Sequence, residues 1–273
     1  MSDTQPTLLP LELCGLVIDF LAEDDKELTT IRACSLASRA FLPLTRKHIF
    51  ASIEINDPFA NRWPNTEAFV TLISRNPEIG EYVHKFEYCI TKDDHIMFPM
   101  PHILGNLTKL KSLGIWHHSG DKLPWRTQRW SMRSALLRLM QLPSLSALRL
   151  EWIEDFPVSD LIHSSSLKHL KIQYTDFTED IVPPSTVHLP RKSVYLHEYD
   201  VGLQCASTTK KLVEAYRPDG LPIVDFTELA KVTANCDNKE DIDAIQTIFV
   251  RANQLQIINL TSKLPLLICK EHH

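Results

Sequence analysis

The chain has 273 residues, enough to bury a sizeable core as one larger domain or as a small domain followed by a larger one. Its 44% hydrophobic and 23% charged residues are ordinary for a soluble globular protein, and a formal net charge of −5 argues against a phosphate-dominated role in nucleic-acid binding. No apolar run approaches the roughly eighteen residues of a membrane span, and the first residues lack the basic start and apolar core of a secretory signal. Six widely spaced cysteines without a Cys-x-x-Cys fit free thiols in a reducing compartment, so the expected setting is cytoplasm or nucleus.

Residues 1–7 read as a polar leader. Pro10 is placed to open a helix, where its missing N–H costs nothing. Leu13, Leu16, Val17, Phe20 and Leu21 then recur on one face, and Leu11, Cys14 and Ile18 run up another. A short helix apolar on nearly two faces must bury one in its own core and the other elsewhere. Asp24-Asp25-Lys26-Glu27 breaks the pattern, and Asp24 or Asp25 is expected to cap a second helix that buries Leu28, Ile31 and Cys34 or Ser35. Ser38 is expected to cap a third, with Phe41, Leu42, Thr45, Ile49 and Phe50 at helical spacing. Three such helices make a small orthogonal bundle of about fifty residues, marginal alone.

These residues also carry a resemblance. Leu9-Pro10-x-Glu12-Leu13 with Ile18 and Leu21 resembles the opening helix of an F-box. Ser38-Arg39-Ala40-Phe41 sits where that family has a small residue, a basic residue, any residue and Trp. The run from Ala33 to Leu44 is similar to F-box proteins of mushroom-type fungi. Phe41 replaces the usual Trp, and Pro43 falls where it should kink or restart the third helix. The resemblance implies a substrate-recognition subunit of a cullin-based SCF ubiquitin ligase. Its bundle would dock on a Skp-type adaptor through Leu9, Pro10, Leu13, Ile18, Leu21, Leu36, Arg39, Phe41 and Leu42. The competing use for each apolar member is the bundle's own core, whereas no core needs the Arg39 cation.

Beyond residue 50 a short strand is expected over 51–56 and a helix over 66–76, stopped by Pro77. Apolar residues then recur as L-x-x-L-x-L: Val83/Phe86/Tyr88, Leu110/Leu113/Ile115, Leu145/Leu148/Leu150 and Leu167/Leu170/Ile172. The pattern returns at Leu221/Val224/Phe226 and Leu255/Ile258/Leu260, with a weak copy at Val194/Leu196. Plausible helices at 130–142, 157–163 and 241–253 precede several of these strands. A strand–helix unit repeated in this way is the signature of a leucine-rich-repeat solenoid. Here it is degenerate, with Thr91, His118, Ile153, Thr175 and Lys263 where the turn Asn is expected. An ordinary α/β domain with parallel strands and crossover helices is the alternative. Leu264 to Ile268 either folds back as a cap or belongs to a truncated end.

Chemistry-bearing motifs are missing. Seven dispersed glycines leave no phosphate-cradling loop, and there is neither a Gly-x-Ser-x-Gly elbow nor His-Glu-x-x-His. His117-His118 would point to opposite faces of a strand and chelate poorly. Carboxylates at Glu151/Glu154/Asp155/Asp160, Asp176/Glu179/Asp180 and Asp237/Glu240/Asp241/Asp243 lie near helix starts or loops, where capping and solvation explain them. Trp116, Trp125, Trp130 and Trp152 suit either the core and loop anchoring or an aromatic binding rim.

The expectation is an α/β chain: a small three-helix F-box bundle over residues 8–55, then an irregular leucine-rich-repeat-like solenoid over 56–273 that recognises a protein substrate. It needs no catalytic group, cofactor, metal, nucleic acid or membrane. The rivals are a repeat scaffold whose F-box is vestigial and a small α/β enzyme of unfamiliar type.

Overall fold

Alternating apolar residues of the central and C-terminal chain set the architecture of the computed structural model, which describes residues 10–24, 28–55, 66–91, 99–118, 120–178 and 192–262. Eight strands form one sheet: β1 (Ser52–Ile55), β2 (Lys85–Ile90), β3 (Ser112–His117), β4 (Ala147–Glu151), β5 (His169–Gln173), β6 (Glu198–Val201), β7 (Lys231–Asn235) and β8 (Ile257–Thr261). They lie side by side in chain order, and every pair is parallel. The fold is therefore mixed α/β around a large parallel sheet.

Side chains alternate between the two faces of a strand. Phe86, Tyr88, Leu113, Ile115, Leu148, Leu150, Leu170, Ile172, Tyr199 and Val232 point to one side and are buried. The helical layer covers them, contributing Phe69 and Ile73 from α4 (Thr66–Arg75), Ile103 from α5 (Met100–Ile103) and Leu136 and Leu139 from α6 (Trp130–Met140). Leu212 and Val213 of α7 (Ala206–Glu214) and Ile245 and Ile248 of α8 (Lys239–Phe249) complete the same core. The rings of Trp125, Phe156 and Phe177 form a file through it, with centroids 5.0 and 5.5 Å apart, and the Trp125 indole N–H donates to Asp160. Trp125 is thus core, Trp116 is buried, and Trp130 is exposed. Thr175, one of the residues standing where a turn Asn was expected, is buried and donates its hydroxyl to the Leu150 and Gln173 carbonyls, tying adjacent turns together.

Two expected strands are displaced. The patterns at Val194/Leu196 and Leu221/Val224/Phe226 do not supply sheet strands; Val194–Tyr195 and Val224–Asp225 pair with each other in a separate two-stranded ladder. The sheet takes β6 and β7 from the segments that follow, where Tyr199, Val201, Val232 and Ala234 face the core. At residues 157–163 a 3-10 turn, Val158–Leu161, replaces the expected helix. The caps also differ in part. Asp241 accepts from the Asp237 and Asn238 N–H groups while Asn238 accepts from Asp241, a reciprocal box that opens α8 at Lys239, two residues before the expected start.

At the N-terminus, α1 (Leu11–Asp24), α2 (Thr29–Ala37) and α3 (Leu42–Ile49) pack on one another. Asp24 ends α1 rather than capping α2; Leu28, in a left-handed conformation, precedes α2 without a side-chain cap. Asp25, the other expected cap, lies outside the described residues. Ser38 accepts from the Ala40 N–H and caps a 3-10 turn, Arg39–Phe41, after which α3 begins with Pro43 in its first turn. There a proline removes no helical hydrogen bond. Ser52–Ile55 at the end of this segment pairs with β2, so it belongs to the sheet.

Candidate interaction surfaces

Ile18 is the buried residue of α1. Beside it, Asp19 accepts from Lys47 at 2.5 Å and from His48 at 2.7 Å, fastening α1 to α3. The hydrogen bond from Lys47, then that from His48, holds the Asp19 carboxyl below its ordinary value. Among the described residues, the opposite side of α1 has no such attachment. Leu13, Leu16, Val17 and Phe20 form an i, i+3, i+4, i+7 stripe, with Phe20 66% exposed, and Leu36 at the end of α2 is 87% exposed.

The residues that the sequence offers for an adaptor divide between solvent and the interior. Pro10, Leu13, Leu36 and Arg39 are exposed; Leu21, Phe41 and Leu42 are half-buried; Ile18 is core; Leu9 lies outside the described residues. Leu16, Val17 and Phe20 belong to the helical stripe that the sequence shows, and the structure adds them to the exposed set. Periodicity finds a stripe without saying which of two stripes is covered. Between α2, α3 and α4 runs a groove of about 460 Å³, lined by Leu36, Leu42, Ile49 and Leu72 with Arg32 and Arg46 among the polar residues.

The second surface is the face of the sheet turned away from the helices. Its middle row, read across the register, is Glu54, Glu87, Gly114, Arg149, Lys171, Asp200 and Thr233. Arg149 forks onto Glu151, donating from Nε at 2.7 Å and Nη2 at 2.6 Å. That hydrogen bonding holds the Arg149 guanidinium above its ordinary value, with the charges of Glu151, Glu87 and Glu54 adding to it. Glu87 reaches across Gly114 towards Arg149, so that a Cβ at Gly114 would fall on its carboxylate. Lys171 lies 3.9 Å from both Glu151 and Asp200, and Glu198 meets Lys231 at 3.2 Å and His169 at 3.4 Å. Burial raises the Glu198 carboxyl, and the Lys231 bond with the His169 and Lys231 charges brings it below its ordinary value.

His117 is buried and donates Nδ1–H to the Ile90 carbonyl, while His118 is exposed. Burial pushes the Cys205 thiol up to about 11, away from a reactive thiolate. No group of three or more His, Cys, Asp or Glu suited to a metal ion occurs among the described residues. No described helix is long and apolar enough to cross a membrane.

No protein-family model and no curated protein matches the chain. Among solved structures it is similar to a Bacteroides fragilis protein determined by a structural-genomics consortium, at 13% identity and a TM-score of 0.43. That alignment covers 65% of this chain and 52% of the other, so the chain spans about half the length of that protein.

Proposed function

We propose that the chain is a substrate-recognition subunit of an SCF-type ubiquitin ligase. In this reading α1–α3 are an F-box bundle that binds a Skp-type adaptor, and the strand–helix array is a degenerate leucine-rich-repeat solenoid that binds a protein substrate on its open sheet face. The observation that carries it is the uncovered stripe Leu13, Leu16, Val17 and Phe20 with Leu36, on the helices whose residues resemble the family motif. Each of these partly exposed side chains gains roughly 1 kcal/mol or more when a partner covers it. An apolar helical face of this kind fits a partner of matching apolar surface.

The test is co-purification with a Skp-type adaptor, comparing the wild type with a Leu13→Ser/Leu16→Ser/Phe20→Ser/Leu36→Ser variant whose folding is checked by thermal melt. Binding by the wild type and a loss of at least a hundredfold in the folded variant is the expected result. A folded wild type that does not bind overturns the ligase reading and leaves a repeat scaffold with a vestigial F-box.

A further inference from the structure

The eight-stranded sheet has two outer strands, and they differ. At β1 the core-facing Ile53 and Ile55 are buried. At β8 all five residues are exposed. Its core-facing Ile258 and Leu260, register partners of the fully buried Val232 and Ala234, are 50% and 53% exposed. The backbone of β8 is also half used. In a parallel ladder alternate residues turn both N–H and C=O to the neighbouring strand. The Ile257 N–H donates to the Ala230 carbonyl and the Thr261 carbonyl accepts from Cys236, so Ile257, Asn259 and Thr261 turn to β7. Ile258 and Leu260 therefore turn their N–H and C=O groups outward, where no described strand meets them.

Outer strands usually carry a charge, a proline or a bulge that discourages pairing. Residues 252–262 carry neither a charge nor a proline. That neutrality matters most when the partner is the same strand, because near a two-fold axis any charge meets its own copy. Antiparallel pairing centred on Asn259 sets Ile258 of each copy opposite Leu260 of the other. Both residues offer N–H and C=O to that side, so each pair exchanges two hydrogen bonds. Their side chains then form one apolar patch on the helical side, while the Asn259 amides meet on the open face. A tight return of the chain itself suits this edge less well. Hairpins with two- or four-residue loops set Pro265 opposite Ser262 or Leu260, where a proline has no N–H to give.

We infer that β8 is the interface between two copies of this chain, paired antiparallel across a two-fold axis at Asn259 so that their sheets join into one. The axis stands perpendicular to the sheet and keeps the helical layers of both copies on the same side. The two open faces then lie side by side, and the two α1–α3 bundles sit at the outer ends, beyond β1. A partner offering two like segments meets two like surfaces, which raises its avidity without any new contact. The inference is independent of the ligase reading.

The test is sedimentation equilibrium of the full chain over a range of concentrations, with variant folding checked by thermal melt. The expected result is a reversible rise from the 31.3 kDa monomer to twice that mass. Asn259→Lys places two ammonium groups face to face at the axis and should weaken the dimer about tenfold or more. Leu260→Lys, which puts a charge into the shared apolar patch, should do the same. Asn259 is exposed, so its variant keeps the test decisive should Leu260→Lys unfold. Mixing Asn259→Lys with Asn259→Asp should restore a dimer that neither forms well alone. A full chain that stays monomeric, its edge being covered by its own residues or by a different protein, overturns the inference. So does a dimer that both folded lysine variants leave intact, since it must form through another face. Failure of the mixed pair to associate overturns the two-fold pairing at Asn259.

Discussion

Helix α1 and the open face of the sheet both meet solvent, one through Leu13, Leu16, Val17 and Phe20, the other through Arg149, Lys171 and Asp200. The apolar stripe gains by area and has little directional demand, so any partner of matching shape and apolarity satisfies it. The charged face discriminates by placement: each cation already has a carboxylate, and a misplaced charge is penalised. Anchoring differs as well. The sheet face is the reverse side of strands whose other face is the core, whereas α1 is held by Ile18 and by the Asp19 contacts to Lys47 and His48.

Breaking the core beneath the charged face gives the largest effect. Phe86 is fully buried between Phe69 and Tyr88, and Phe86→Ala is expected to cost about 3–5 kcal/mol in a denaturant titration. A loss below 1 kcal/mol would mean that the sheet is not the stable half of the comparison. Gly114→Ala tests the charged face itself. Its methyl displaces the Glu87 carboxylate, and overpacking of this kind costs about 1–3 kcal/mol, while removal of the carboxylate in a Gly114→Ala/Glu87→Ala double variant should recover part of it. The smallest effect concerns the tether of α1. Because the folded Asp19 carboxyl lies below its ordinary 3.8, its contribution is full above that pH and is lost as the pH falls through the lower folded value. Wild type should therefore exceed Asp19→Asn in stability by less than about 1 kcal/mol at neutral pH, with the difference closing below pH 3.8.

How far the sequence could be read depends on which residues did the packing. Where Leu and Ile fill the core positions, as at Leu113/Ile115, Leu148/Leu150 and Leu170/Ile172, the strands fall where the periodicity puts them. At β6 and β7 the core positions are Tyr199, Val201, Val232 and Ala234, flanked by charged or polar residues, and the apolar patterns nearby belong to the separate two-stranded ladder. Helix α7 shows no full apolar stripe in the sequence because Thr208 and Thr209 take two of its buried positions. Their hydroxyls are satisfied by the Thr175 carbonyl and the Tyr199 hydroxyl, which makes polar residues behave as core. Tyr199, sealed in by this packing, is pushed well above its ordinary value by burial. The α1 stripe was legible as a pattern. The reach of Glu87 across Gly114 was not, since it depends on the register that sets Glu87, Gly114 and Arg149 side by side from segments far apart in sequence.

The order of the strands has a consequence for how such a chain can change. Within the eight-stranded sheet, each described strand pairs only with the strands immediately before and after it in the row. Inserting or deleting one whole strand–helix unit would lengthen or shorten the sheet without altering the register of the remaining pairs. The vulnerable place in that scheme is the last strand of the row: Ile258 and Leu260 of β8, aligned with buried Val232 and Ala234, are half-exposed. A change in the middle of this sheet therefore meets fully buried strands, while a change beside β8 meets the half-exposed Ile258 and Leu260.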